Sequence, residues 1–306
     1  MTARMMHLNL FVFGCGHHRG AWRHPHSSVE RLGDIRYYEH LAQTAERGKL
    51  DAVFFADGHA VGNVADGSAW FLEPFTVLAA ISRATERIGL ISTVSSTFAT
   101  PFQTARQVAS LDHISGGRMG WNVVTSMFDV EARNYGYASM PAHADRYRRA
   151  EEFVEAVLKL WDSWTDDALQ WDRGGQYADP AKVRPIHHRG EYFLVDGPLN
   201  VPRPPQGHPV LFQAGASEQG RDLQPAGPRP FMPWPGTCLP PRPITGISNA
   251  GCRRLGAAPR CPFSRDWSLT WPRPQNRRTP NSGNWMPYYR WRPRYVSWGC
   301  LRRRTA

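Results

Sequence analysis

IGLISTVSSTFATPFQTARQVASLDHISGGRMGWNVVTS, residues 88–126, contains one complete strand–helix–strand unit. The apolar runs Ile88–Val94 and Met119–Val124 are too short for buried helices and predict interior strands. Between them, Thr100-Pro101 is typical of a helix start and Gly116-Gly117 of a helix end. A strand, a helix and a second strand in this order predict a parallel pair of strands joined by a right-handed crossover.

The same alternation extends to both sides of this unit. Further short apolar runs predict strands at Leu8–Phe13, Ala52–Ala56 and Val210–Phe212. Amphipathic patterns with a 3.6-residue period predict helices between the strands, and the longest pattern covers Ala150–Trp161. The first four strands begin 44, 36 and 31 residues apart, which is the size of single βα units.

Two architectures fit this alternation: an open doubly wound sheet and a (β/α)₈ barrel. Polar residues follow strand after strand, at Asp57, Ser95–Thr97, Thr125-Ser126 and Gln213–Ser217. Such residues at every strand end are typical of a barrel with its active site on that face, whereas a doubly wound sheet concentrates them at one switch point. We therefore predict an α/β fold of the TIM-barrel type. Only about five βα units precede residue 223, with an insertion at about 127–208, so the barrel is expected to be incomplete.

The composition changes abruptly after Leu223. Residues 224–306 contain 15 Arg, no Lys and one acid, a net charge of +14, with 15 Pro, six Trp and four Cys, while the preceding residues have a net charge of −3. Three interpretations remain: a disordered basic tail, an Arg- and aromatic-rich binder of single-stranded nucleic acid, or a shifted reading frame in a GC-rich gene. We favour the frameshift, because out-of-frame GC-rich codons supply Arg, Pro, Trp and Cys and nearly exclude Lys, Glu and Asp.

Composition and hydropathy exclude several classes of protein. No apolar run approaches the roughly 18 residues of a membrane-spanning helix, and the short apolar segment Leu8–Phe13 lacks the cleavage site of a signal peptide. Basic charge confined to the tail excludes a uniformly basic nucleic-acid binder, and the cysteine pattern excludes a disulfide-dense mini-protein. We therefore expect a cytoplasmic protein without membrane association, for which nucleic-acid binding is not favoured.

Several motifs follow one another in a specific order. They are Gly16–Pro25 after the first strand, Phe54–Asp57, Ser95–Thr97, the run Ala109–Ser126, and His143–Tyr147 before a Glu-rich helix. Together they resemble the flavin-dependent monooxygenases of the bacterial-luciferase-like superfamily, in the branch of nitrilotriacetate monooxygenase component A, dibenzothiophene-sulfone monooxygenase and the pristinamycin synthase large subunit. The resemblance covers nearly all of Met1–Leu223 and stops where the composition changes.

The resemblance implies both a TIM barrel and a chemistry. In this family a separate flavin reductase delivers reduced FMN, which reacts with O₂ to give a flavin C4a-(hydro)peroxide that oxygenates a small organic substrate, often in xenobiotic degradation. The resemblance also implies a homo-oligomer when the barrel is complete. Because the last three βα units are missing here, we expect exposed strand edges, aggregation and an inactive product. The alternatives are a non-catalytic flavin-binding barrel and nucleic-acid binding through the basic tail.

Two cofactor-binding residues implied by the resemblance follow strands. Asp57 ends the second strand, where a carboxylate could accept hydrogen bonds from the flavin ring or a ribityl hydroxyl. Its alternative role is to cap the following loop. Thr97, with Ser96 beside it, closes the third strand and could bond the ring edge, or could serve only as a turn hydroxyl.

Three more cofactor-binding residues lie at predicted helix starts. His143 and Tyr147 are four residues apart, which places them on one helical face, and the resemblance assigns them to ribityl or phosphate oxygens. Ser217 begins the helix after the fifth strand, where its hydroxyl and the exposed amides could bind the FMN phosphate, or Ser217 could act as an ordinary helix cap. No catalytic residue is assigned.

Two further groups of residues have less specific interpretations. Asn122 either faces the flavin ring or is a structural amide that points into the barrel. His17, His18, His24 and His26, with Cys15, do not match a standard zinc spacing, and we expect them to line the substrate entrance rather than to bind a metal.

The frameshift hypothesis makes a direct prediction about the gene. Translation of the DNA beyond codon 223 in one of the other two frames is expected to continue the strand–helix alternation with further βα units. Sequencing of the locus checks this, and the absence of such units from both alternative frames would refute the hypothesis.

Overall fold

Parallel strands that pair in chain order form the main sheet. The computed structural model describes residues 7–18, 20–65, 67, 72–213 and 232–233, which all fall in one unit, Met1–Leu239. The sheet has the order β1-β2-β3-β4-β7-β8, and every neighbouring pair is parallel. The six strands are β1 Asn9–Val12, β2 Ala52–Phe55, β3 Gly89–Ser95, β4 Met119–Val124, β7 Val210–Gln213 and β8 Met232–Pro233, while β5 His188–Arg189 and β6 Leu194–Val195 form a separate antiparallel hairpin.

Helices connect the strands, and local signals fix where they begin. They are α1 Ile35–Arg47, α2 Pro74–Ala84, α3 Pro101–Ser115, α4 Asp129–Arg133 and α5 His143–Trp161. The Asp34 side chain accepts the amide N–H of Arg36 at the start of α1, and the Glu73 carboxylate accepts two amides at the start of α2. None of the described helices is long and apolar enough to cross a membrane.

One face of the sheet packs against the helices. Alternate residues of the strands, among them Val53, Leu90 and Trp121, point toward this face and are fully buried. They form one core with buried residues of α1, α2, α3 and α5, including Phe153 and Trp161. Trp161 also donates its indole N–H to the Ala105 carbonyl at 3.1 Å, which joins α5 to α3.

The other face carries a second apolar cluster made of strand residues. Ala52, Phe54, Ile91 and Phe212 form it, with Phe11 and Val210 packed against it. Gly120 makes room for the Phe212 ring, because a Cβ at this position would lie 2.8 Å from the Phe212 Cε2 atom.

The strand order and the two clusters distinguish between the predicted architectures. A doubly wound sheet reverses its strand order and carries helices on both faces. In the described residues the order never reverses, and the packed helices share a core with one face only. The predicted α/β fold of the TIM-barrel type is confirmed, and the strands and helices of the described residues are compatible with a partial barrel.

The sequence predictions for individual elements are largely correct. The five predicted strands form, each within two residues of its expected ends, and α3 begins at Pro101 and ends where Gly116 adopts a left-handed conformation with φ 68°. Thr100 occupies the N-cap position of α3, but its side chain makes no capping hydrogen bond. A short strand that was not predicted, β8, pairs with β7 inside the segment expected to be irregular.

The segment between β4 and β7 holds α4, α5 and the hairpin of β5 and β6. Glu152 of α5 fixes this hairpin. Its carboxylate accepts the amide N–H groups of Tyr192 at 3.0 Å and Phe193 at 2.7 Å, and it lies 3.2 Å from Nε2 of the buried His188. The insertion is therefore anchored to the helix layer.

Arg118 ties together the amino ends of β3 and β4. Its guanidinium donates to the carbonyls of Ser115 at 2.8 Å, Ser82 at 2.8 Å, Ile88 at 2.9 Å and Thr85 at 3.2 Å, and to the Thr85 hydroxyl at 3.0 Å. Five hydrogen bonds to one charged side chain are a large local contribution to stability. The segment Ser115–Arg118 therefore has a structural role at the amino edge of the sheet, opposite the polar strand ends.

Arg118→Met is expected to lower the free energy of unfolding by about 3 kcal/mol or more, because the acceptors of Arg118 lose a charged donor. Urea denaturation measures this change. Arg106→Met, at an exposed position of α3, is the matched control and is expected to cost about 0.5 kcal/mol or less. Equal effects of the two substitutions would contradict the assigned role of Arg118.

Candidate active site

The carboxyl ends of β3 and β4 are joined by side-chain hydroxyls. Thr97, which is buried, donates its hydroxyl to the Thr125 carbonyl at 2.8 Å, and Ser96 donates to the Val124 carbonyl at 3.1 Å. The Ser126 hydroxyl donates to the Ser95 hydroxyl at 2.9 Å. Since the proton of Thr97 is already engaged, its oxygen can only accept a hydrogen bond from a bound molecule.

The start of α5 docks on the same strand ends. Arg146 donates to the carbonyls of Thr125 at 3.3 Å, Pro141 at 3.1 Å and Ser126. His143 and Tyr147, on either side of Arg146 in the sequence, are in ring contact, with their centroids 4.7 Å apart. The predicted sharing of one helical face by His143 and Tyr147 is thus present. Arg146 holds the start of α5 at the ends of the strands.

His59 lies two residues after Asp57, and each of its ring nitrogens is close to an oxygen atom of another side chain. Nε2 of His59 lies 3.0 Å from Oδ2 of Asp57, and Nδ1 shares a hydrogen bond with the Tyr135 hydroxyl. The Tyr135 ring stacks on Phe98, with 4.4 Å between ring centroids and an interplanar angle of 5°. The His59 centroid lies 5.6 Å from that of Phe98, so the loops after β2 and β3 meet the segment after α4 here.

The backbone of His59 is held from α4 as well. Glu131 accepts the His59 amide N–H at 3.3 Å, and Asn134 donates its side-chain amide to the His59 carbonyl at 2.7 Å. Glu131 is 7% exposed, and its second oxygen accepts the amide N–H of Phe128 at 3.3 Å. Residues far apart in the chain therefore fix both the ring and the backbone of His59.

Electrostatics favour the charged form of His59. The hydrogen bond and the charge of Asp57, together with the charges of Glu131 and Glu73, raise the pKa of His59, and burial only partly opposes this effect. Burial, with the charges of Asp57 and Glu131, raises the pKa of Tyr135. His59 is therefore a cation over a wider pH range than a free histidine, while Tyr135 stays a neutral phenol.

Asn122 provides a test of whether this edge of the sheet fits a polar cofactor. Its neighbour Trp121 points to the helices, so Asn122 points into the barrel, where its side-chain N–H donates to the Thr93 hydroxyl at 3.0 Å. Its Oδ1 is buried and has no hydrogen-bond partner among the described residues. A buried, unpaired acceptor is costly, and a ligand N–H or O–H group would satisfy it.

The structure thus brings four of the five predicted cofactor residues to one edge of the sheet. Asp57 and Thr97 each lie two residues after the end of their strand, β2 and β3, and Thr97 is bonded to Thr125 after β4. Arg146 links Thr125 to the start of α5, which also carries His143 and Tyr147. Ser217 lies outside the described residues.

Sequence reasoning missed His59, Glu131, Tyr135 and Arg146. The position of His59, two residues after a strand-ending Asp57, was a usable signal. Glu131 and Tyr135 gave no signal, because each meets His59 across more than seventy residues of sequence.

The histidine-rich segment after β1 makes mostly local contacts. The His17 ring lies 4.5 Å from that of Phe11 and 5.3 Å from that of Phe13, and the His24 ring lies 5.6 Å from that of His26. Among the described residues, no group of three or more His, Cys, Asp or Glu side chains is arranged to hold a metal ion. The expectation that these histidines line a substrate entrance stays a prediction.

The whole described chain matches one protein family. Residues 7–239 match the luciferase-like monooxygenase family, and the chain belongs to it. The family is the one that the sequence motifs indicated, so the resemblance is confirmed.

Curated relatives place the chain in the expected branch. It is 47% identical over 237 residues to nitrilotriacetate monooxygenase component A of Aminobacter aminovorans, with 72% of this chain and 52% of the relative covered. It is 49% identical over 233 residues to dibenzothiophene-sulfone monooxygenase of Rhodococcus erythropolis strain XP, with 71% and 51% covered. The chain therefore spans about half the length of these relatives.

A solved structure agrees with the fold. The riboflavin lyase RcaE, determined with a modified FMN and riboflavin, superimposes with a TM-score of 0.67 at 40% identity, and the match covers 72% of this chain and 52% of that one.

Asp57→Asn is expected to lower the pKa of His59, because it removes the carboxylate that contributes most to raising it. NMR titration of the His59 imidazole measures the change. Since the folded pKa is raised, the ion pair adds stability that is fully present below the unfolded value of about 6.5 and is lost as pH rises through the folded pKa. The substitution should therefore destabilise the fold more at mildly acidic than at alkaline pH.

Asp196→Asn, which removes an exposed carboxylate beside His187, serves as the control and should leave the His59 titration unchanged. An unchanged pKa of His59 in Asp57→Asn would contradict the ion pair.

Proposed function

We propose that this chain, as part of a complete barrel, is the monooxygenase component of a two-component system that uses reduced FMN, a separate flavin reductase and O₂ to oxygenate a small organic substrate. Bound reduced flavin supplies the electrons that activate O₂. The single observation that best supports the proposal is the gathering of Asp57, Thr97, Asn122 and the face of α5 at the carboxyl ends of neighbouring strands.

Four described residues would hold the cofactor at this edge. Asp57 accepts hydrogen bonds from the ring or a ribityl hydroxyl, and the Thr97 oxygen accepts one from the ring edge. His143 and Tyr147 donate to ribityl or phosphate oxygens. Ser217, after β7, would complete the site by binding the phosphate with its hydroxyl and neighbouring amides.

The unpaired Oδ1 of Asn122 supports a ligand donor above β4. Beneath it, the inner face of the sheet is apolar, with Phe54, Ile91 and Phe212 packed together. Apolar residues beneath the polar strand ends favour a site from which water is excluded. Exclusion of water protects reactive intermediates from hydrolysis and from unwanted proton transfer. The chain thus supplies both the acceptors that orient a flavin and the surface that keeps water away from it.

The substrate is proposed only as a small organic molecule. The names of the two relatives point to nitrilotriacetate and dibenzothiophene sulfone as their substrates. Xenobiotic substrates of this kind fit the proposal, and a cytoplasmic location and homo-oligomerisation of the complete barrel are further parts of it.

The match to about half of each relative supports the proposal that residues 1–223 are a partial barrel. We propose that residues 224–306 replace the remaining βα units through a shifted reading frame. On this proposal, the 306-residue polypeptide is expected to oxygenate substrate poorly or not at all. A frame-restored gene product is therefore the right material for functional assays.

In a frame-restored protein, Asp57→Ala and Ser217→Ala are each expected to weaken FMN binding roughly tenfold, which corresponds to about one hydrogen bond to a charged or phosphate group. Flavin fluorescence titration measures the affinity, and Asp196→Ala is the control. Wild-type affinity in both variants would refute the site, and FMN binding without reductase-dependent O₂ consumption would favour a non-catalytic flavin-binding barrel.

A further inference from the structure

We propose that Asp57, His59 and Tyr135 form a proton relay whose outer end is the Tyr135 hydroxyl, and that this relay exchanges a proton with the molecule bound at the carboxyl edge of the sheet. The inference rests on the proposed function, because it assigns a role within the same site. It adds two residues, His59 and Tyr135, to those predicted for the cofactor.

Two short contacts, one at each ring nitrogen of His59, define the relay. Asp57 Oδ2 lies 3.0 Å from His59 Nε2, and the opposite ring nitrogen, Nδ1, bonds the Tyr135 hydroxyl. The Asp57 and His59 side chains are each 20% exposed, whereas Tyr135 is 44% exposed. His59 is thus largely buried, and the more exposed Tyr135 hydroxyl lies between it and solvent. A phenol hydroxyl can donate and accept a hydrogen bond at the same time.

The relay is held more firmly than a surface pair of side chains would be. Glu131 and Asn134 fix the amide and the carbonyl of His59, and Phe98 stacks on Tyr135. Side chains that are already fixed lose little conformational entropy when a molecule binds. Proton transfer also needs the donor and acceptor to be held within hydrogen-bond distance, and fixed side chains meet this need.

Protons balance along this path. In the charged state, Nε2–H of His59 forms an ion pair with Asp57 and Nδ1–H is donated to the Tyr135 oxygen, so the phenol O–H can point outward. When the phenol gives its proton to a bound acceptor, it takes the Nδ1 proton, and His59 becomes neutral with Nε2–H still held by Asp57. Solvent then returns one proton and restores the starting state. No bond other than those to hydrogen changes.

The carboxylates around His59 stabilise its protonated form, from which the proton transfer starts. The groups that face it are Asp57 on its own loop, Glu131 and Tyr135 from the segment around α4, and Glu73 before α2. The carboxylates raise the pKa of His59, so its protonated state persists to higher pH than that of a free histidine. Tyr135 meets the bound molecule and is the catalytic residue of the proposal, while Asp57 and His59 are positioning residues that act through it.

Nitrogen-15 NMR of the His59 imidazole in the chain as it exists tests the relay without any ligand. We expect the neutral ring to carry its proton on Nε2, and we expect the Nδ1 resonance to shift in Tyr135→Phe but not in Tyr137→Phe, which alters a neighbouring exposed phenol. A neutral ring protonated on Nδ1, or an Nδ1 resonance that Tyr135→Phe leaves unchanged, would overturn the relay.

A second measurement tests its role. Reduced FMN is bound to the frame-restored protein and its oxidation by O₂ is followed as a function of pH. The wild type should show an inflection at the pKa that NMR gives for His59. His59→Gln should lose that inflection, and Tyr135→Phe should react at least about tenfold more slowly with unchanged FMN affinity.

The outcomes separate the two proposals. A frame-restored protein that does not bind FMN refutes the proposed function, and the NMR result alone then decides whether the relay exists. FMN binding with the same pH profile in wild type and His59→Gln leaves the proposed function standing and refutes the relay.

Discussion

Parallel pairing of β1, β2, β3, β4 and β7 in chain order is the constraint on which the rest of the structure depends. It places the helices on one face, leaves the other face to a small apolar cluster, and brings the carboxyl ends of all five strands to a common edge. The amino edge of the sheet has a structural role, and the carboxyl edge carries the candidate site. At the amino edge, the Arg118 guanidinium donates hydrogen bonds to backbone carbonyls. At the carboxyl edge, loops and the start of α5 pack at the strand ends.

Most polar groups at the carboxyl edge are satisfied within the protein, which makes the exceptions informative. The hydroxyl protons of Ser96 and Thr97 are bound to carbonyls, and Arg146 holds three more carbonyls in place. Among the described residues of this edge, the unpaired Oδ1 of Asn122 and the partly exposed Tyr135 hydroxyl join the proposed cofactor residues as groups that can contact a bound molecule. The edge is therefore organised before any ligand arrives, which is the preorganisation that favours catalysis by fixed polar groups.

Sequence patterns predicted the framework because its signals are local. The ends of α3 follow from Pro101 and Gly116, and the strands follow from short apolar runs. The motif resemblance supplied Asp57, Thr97, His143 and Tyr147, which the structure collects at one edge. The environment of His59 could not be predicted, because its partners Glu131 and Tyr135 reach it only through the tertiary fold.

Hydrogen–deuterium exchange of the frame-restored protein with and without FMN tests the central claim most directly, namely that strand ends converge on one flavin site. The account predicts that FMN slows exchange in residues 56–60, 95–98, 122–126 and 143–147 and leaves the amino edge, residues 82–90 and 112–119, unchanged. Protection confined to the amino edge, or no protection at saturating FMN, would contradict it.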